Sequence, residues 1–73
     1  MSEIKFEIIE HIGVLSEGSK GWKTELNRIA WNENAPKYDL RSWSPDHTKM
    51  GKGITLTDEE LQALKELLNE EVS

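Results

Sequence analysis

The sequence predicts an α+β domain: a curved four-stranded antiparallel sheet followed by one C-terminal amphipathic helix, working as a homodimer. Three observations lead there. Apolar and polar residues alternate near the start of the chain and again over 37–43, the period of a half-buried sheet. Turn-forming clusters at 16–21 and 32–36 separate the alternating segments. The last segment opens with a capping box and repeats leucine at helical spacing.

The first strand is expected over 4–15, where Ile4, Phe6 and Ile8 alternate with Lys5 and Glu7. The Ile8-Ile9 pair and Gly13 interrupt the alternation, and one of them is expected to mark a bulge or bend. After the turn Ser16-Glu17-Gly18-Ser19-Lys20-Gly21, residues 22–31 form a second strand candidate, with Lys23, Glu25, Asn27, Ile29 and Trp31 on one face. Trp22, Thr24, Leu26, Arg28 and Ala30 fall on the other; the sorting is imperfect, and a helix of similar length competes. Asn32 to Pro36 turn the chain, with proline where no ladder donor is needed. The third strand is 37–43; a loop from Ser44 to Gly53 follows, then a short fourth strand, Ile54-Thr55-Leu56. Thr57 caps the helix and Glu60 reaches back to it. Asp58, Glu59 and Glu60 suit the positive end of its dipole. Leu61, Leu64, Leu68 and Val72 make its apolar stripe, widened by Leu67.

A chain of 73 residues is one domain, and it buries only about 60% of its unfolded surface. Small domains are usually rescued by disulfides, metals or association. The chain has no cysteine and its two histidines lack ligand spacing, so association is the remedy left, and neither metal nor cofactor is expected. The start of the chain lacks the basic-then-apolar form of a signal peptide. With no run near the roughly 20 apolar residues of a membrane span, a soluble, cytoplasmic protein with no membrane partner is expected.

The net charge of −5 argues against a polyanionic partner, but its distribution does not. Residues 1–19 carry one lysine and four glutamates, a net −3; residues 20–53 carry seven cations and four acids, a net +3; residues 54–73 carry one lysine and six acids, a net −5. Local field, not total charge, attracts a polyanion. Within the basic middle, Lys23, Asn27, Trp31, Lys37, Arg41 and Trp43 all sit at odd positions of two strands joined by a turn. Paired antiparallel, those strands would present two indoles among cations. Single-stranded nucleic acid binds such a face: rings stack on bases at about 1–3 kcal/mol each while cations follow the phosphates.

Simpler readings compete. Tryptophan in a small domain is more often core than platform; Trp22, beside Leu26, is assigned to the core. Asp39 shares the proposed face and is expected to pair with Arg41 or Lys37. The segment Lys49-Met50-Gly51-Lys52-Gly53 suits phosphate approach, but an ordinary solvated hairpin turn is the favoured reading of it. His47 beside Asp46 has no positioned nucleophile, so no enzyme is expected. His11 is expected on a strand surface.

Tyr38-Asp39-Leu40-Arg41-Ser42-Trp43, a short loop, then Lys49-Met50-Gly51-Lys52-Gly53-Ile54-Thr55-Leu56-Thr57 and the helix together resemble the positive cofactor four family of transcriptional coactivators. Lys20-Gly21-Trp22, Trp31-Asn32, Pro36-Lys37-Tyr38-Asp39 and Ser44-Pro45-Asp46-His47 are similar to its bacterial YdbC-type branch. The resemblance implies a dimer whose helices pack together and whose sheets form grooves for single-stranded DNA. It implies binding roles for Arg41, Trp43 and Lys52, an aromatic role for Trp31 and a basic one for Lys37, with looser matches at Lys49, Lys20 and Lys23. The expected function is single-stranded DNA binding with little sequence preference, in transcription, replication or repair and beside proteins of those processes. RNA is the second ligand candidate, and a protein-interaction module with Trp31 and Trp43 as anchors is the competing class.

Overall fold

The computed structural model describes residues 5–72; Ile4, the first expected strand position, lies outside them. Four strands, β1 (Phe6–Glu17), β2 (Lys23–Trp31), β3 (Lys37–Trp43) and β4 (Met50–Leu56), precede one helix, α1 (Asp58–Val72). The sheet is an antiparallel meander in the order β1-β2-β3-β4. The strand alternative for 22–31 therefore prevails over the helical one.

β1 runs two residues further than expected, to Glu17, and its pairing with β2 slips at Ile8/Glu10, His11/Gly13 and Val14/Ser16. Each slip leaves one residue over: Ile9, Ile12 and Leu15. Bulges bend a strand and raise its twist, and three at regular spacing bend β1 strongly. The packing shows the result. Phe6 lies opposite Trp31 and Trp43 lies opposite Lys23, positions about 26 Å apart along a flat strand. Yet the Phe6 ring is 5.6 Å from Trp31 and 5.4 Å from Trp43. Only a sheet strongly concave on this face brings them together.

The turn into β3 closes on a hydrogen bond from the Asn34 amide to the Trp31 carbonyl, 2.8 Å. Both central residues, Asn32 and Glu33, are left-handed, as tight hairpins with a matching twist require. β4 starts at Met50, four residues before the expected Ile54, so the glycine-bracketed lysine belongs to a strand and not to a loop. The reason is steric. A side chain at Gly51 would collide with the Ser42 hydroxyl, and one at Gly53 with Arg41 and the Leu40 carbonyl. The missing side chains let β4 lie close against β3.

α1 begins with the expected capping box. The Thr57 amide donates to Glu60 (2.9 Å) and the Glu60 amide to the Thr57 hydroxyl (3.1 Å). The helix stands on the convex side, where Leu61, Leu64 and Leu68 line an open groove together with Leu26 and Leu40, and none of its residues is fully buried. Arg28 lies over the Tyr38 ring at 5.1 Å and reaches Asp58 at 3.9 Å. No helix among the described residues is long and apolar enough to cross a membrane.

Candidate nucleic-acid interface

The face expected to be an open platform is the better buried side of the sheet. Glu25, Asn27, Ile29, Asp39 and Trp43, all at odd positions, are buried, because the concavity is filled by the sheet's own side chains. This corrects the exposure expected of two residues. Trp43 is 0% exposed, packed between Phe6 and His47, and its two ring contacts are each 5.4 Å between centroids. Asn27 is also 0% exposed, its amide donating to Glu25 at 3.2 Å. Trp22, expected in the core, is half-buried just before β2.

Arg41 and Trp31 form a unit. Asp39, fully buried, takes two hydrogen bonds from the Arg41 guanidinium, at 2.7 and 2.9 Å, and a third from Thr55 at 3.1 Å. This fork-to-fork pairing is the strong, directional form of the ion pair. It holds the guanidinium over the half-buried Trp31 ring, 4.9 Å from its centroid, with only 15% of the Arg41 side chain exposed. The expected pairing of Asp39 with Arg41 is thus found, though deep in the sheet and not at its surface.

The cations are divided by the topology. Lys23 and Lys37 lie at opposite ends of the concave face, opposite Trp43 and Ile29. Lys20 sits in the short 3₁₀ turn before β2, Lys49 in the loop before β4, and Lys52 within β4. All five ammonium-bearing residues are exposed. Lys20, Lys23 and Lys49 therefore gather at one end, where the β1–β2 and β3–β4 connections meet.

At that end a groove of about 430 Å³ stays open, lined by residues that include Ile8, Val14, Lys23, Glu25, Pro45 and His47. Its floor is a cluster that the spacing of the sequence did not reveal. Glu25, 3% exposed, accepts hydrogen bonds from His47 Nε2 at 3.0 Å and from Asn27. His11 Nδ1 donates to the Asn27 carbonyl oxygen at 2.7 Å and lies 3.6 Å from Glu25. Burial pushes the Glu25 carboxyl up, but the hydrogen bonds from His47 and Asn27 and the positive charge of the two histidines together hold it below its ordinary 4.5. Among the described residues no group of three or more His, Asp or Glu is placed to hold a metal ion.

The loop that carries His47 is pinned by Asp46, whose carboxylate accepts from the Thr48 hydroxyl (2.7 Å), the Thr48 amide (3.1 Å) and the Ser44 hydroxyl (2.9 Å). Those bonds lower its pKa from 3.8 to about 2. A depressed acid stabilises the fold fully above its unfolded pKa and loses that contribution as pH falls through the folded one. The Thr48 amide signal in an acid titration by NMR should therefore shift with a midpoint near 2. A midpoint at the ordinary carboxylate value would contradict the bonding described.

Residues 18–67 match the family described as Transcriptional Coactivator p15 (PC4). The match takes in β2, β3, β4 and most of α1. A protein of Treponema pallidum (strain Nichols), described as an uncharacterized protein, is 49% identical over 67 residues, 92% of this chain and 79% of that protein.

Proposed function

We propose that this chain, which belongs to the Transcriptional Coactivator p15 (PC4) family of DNA-binding, non-enzymatic proteins known for single-stranded DNA binding and transcription coactivation, binds single-stranded DNA along its concave face with little sequence preference, as one domain. The observation that carries this is the Arg41–Trp31 stack, locked by Asp39 and flanked by exposed lysines. Trp31 and Arg41 offer a base a flat, cationic surface. Lys20, Lys23, Lys37, Lys49 and Lys52 contact the phosphates. Trp43 and Asn27 act from beneath by fixing the shape of the floor.

The test is a titration of labelled dT, rU and duplex oligomers at two salt concentrations. dT should bind well above the duplex, whose bases offer no free faces, and should quench tryptophan fluorescence. About five lysine–phosphate contacts give a log–log salt slope of about −3.5, roughly a hundredfold loss from about 50 to 200 mM. Equal affinity for duplex and single strand refutes stacking, and rU binding above dT makes RNA the ligand.

The same reading includes a homodimer formed on the convex side. Leu15, Leu26, Leu40, Leu61, Leu64 and Leu68 line an apolar groove of about 440 Å³, and Leu67 and Val72 on the same helix are also exposed. A second copy, presenting the same leucines across a two-fold axis, fits a surface of this kind. Sedimentation should give twice the chain mass at micromolar concentration, and Leu68→Glu should shift it to monomer. A wild-type monomer, or a variant of unchanged mass and melting curve, ends that part of the proposal.

A further inference from the structure

We propose that His11 and His47, held on the buried Glu25–Asn27 pair at the open end of the concave face, form a proton-linked phosphate site, so that the protein takes up protons as it binds a single strand. This rests on the reading that the concave face binds single-stranded DNA.

Each imidazole is anchored by one nitrogen and open at the other. His47 spends Nε2 on Glu25 and His11 spends Nδ1 on the Asn27 oxygen, so Nδ1 of the first and Nε2 of the second remain for a proton. Both side chains are about half exposed, at 41% and 53%. Both line the same groove as Lys23. The backbone is bent to put His47 there: its φ is +61°, in the left-handed region that few non-glycine residues occupy. Strain kept at one residue points to a role for what that residue holds. Here it sets the ring against Trp43 and onto Glu25.

The surrounding charges decide the sign. β1 contributes Glu10 beside His11, and Glu17 opposite Lys23; β2 contributes Lys23 and Glu25. β3 contributes Asp39 and Arg41, closed on one another, and the loop contributes Asp46, bonded to Ser44 and Thr48, with Lys49. With both imidazoles neutral, Lys23 and Glu25 cancel inside the groove. Each added proton leaves a net positive charge, at 3.0 Å (His47) and 3.6 Å (His11) from the buried Glu25 carboxylate. A phosphodiester in the groove stabilises the same protons, and by linkage the protons strengthen phosphate binding equally. Histidine is the side chain whose ordinary range falls in the window between pH 5 and 8.

The test is oligo-dT affinity at several pH values between about 5.5 and 8.5 at constant ionic strength, for the wild-type chain and for His47→Gln and His11→Gln. Thymine and phosphodiester do not titrate there, so the slope belongs to the protein. Wild-type affinity should rise about five- to tenfold from the alkaline to the acid end, and each substitution should flatten the profile. A flat wild-type profile, or variants that keep its slope, overturns the site while leaving the DNA-binding reading in place. Failure to bind oligo-dT at any pH sinks both. As a check independent of variant folding, the histidine ring signals of the wild type should titrate at higher pH with oligo-dT bound; unchanged midpoints overturn the site.

Discussion

Trp43→Ala is expected to remove a large part of the fold's stability at 25 °C, not merely to weaken binding of DNA. The ring is 0% exposed and is the largest fully buried side chain among the described residues. It joins Phe6 on β1 to His47 in the β3–β4 loop. Truncating a buried tryptophan costs about 3–5 kcal/mol, because the lost contacts leave a cavity that relaxes only in part. At roughly 0.05–0.15 kcal/mol per residue, a chain of this size holds about 4–11 kcal/mol in all. Trp43→Phe, which keeps an aromatic body and removes an indole N–H without a hydrogen-bond partner, should cost much less. Trp31 is half-buried, so Trp31→Ala should leave the chain folded and remove about 1–3 kcal/mol of single-strand binding. Circular dichroism melts of the three variants check this; a Trp43→Ala melting curve close to wild type would refute it.

Arg41→Ala should be nearly as damaging, for an electrostatic reason. It strands the Asp39 carboxylate, 0% exposed, with Thr55 as its remaining side-chain donor. Breaking a buried pair from one side costs about 3–5 kcal/mol, whereas replacing both partners by apolar groups of similar volume is often neutral. The double variant Asp39→Leu with Arg41→Met should therefore recover much of the stability lost by Arg41→Ala, while losing the cationic layer over Trp31. Urea midpoints for the single and double variants measure this. A double variant no more stable than the single one would show that the pair is not the main term. In both cases a loss of DNA binding has to be separated from a loss of fold.

Much of the architecture was legible. Alternation, turn clusters and the capping box each follow from local physics, and they located three strands and the helix closely. The parity argument also put the indoles, Arg41 and two lysines on one face. It failed on what that face is like, because parity says nothing about curvature. On a flat sheet Trp43 would stand in solvent. Three bulges in β1 turn the same positions inward until Phe6 touches residues near both ends of β2. The Glu25–His47 contact spans 22 residues, and no local pattern marks it. One signal was available: a carboxylate and an amide at alternate positions of a strand, between cations and indoles, are odd choices for a plain binding surface and ordinary ones for a buried polar network. Gly51 and Gly53 were similarly ambiguous, since turns and close strand contacts both select glycine.

The bulged strand also answers a hazard that its sequence creates. β1 is a 12-residue edge bearing exposed Ile9, Ile12 and Leu15. Long apolar edges invite further chains to add by main-chain bonding, which is how fibrils grow. With the ladder interrupted every third residue, this margin has no unbroken row of amides and carbonyls to lend a newcomer. Its apolar residues remain available for side-chain contact while uncontrolled growth of the sheet is refused.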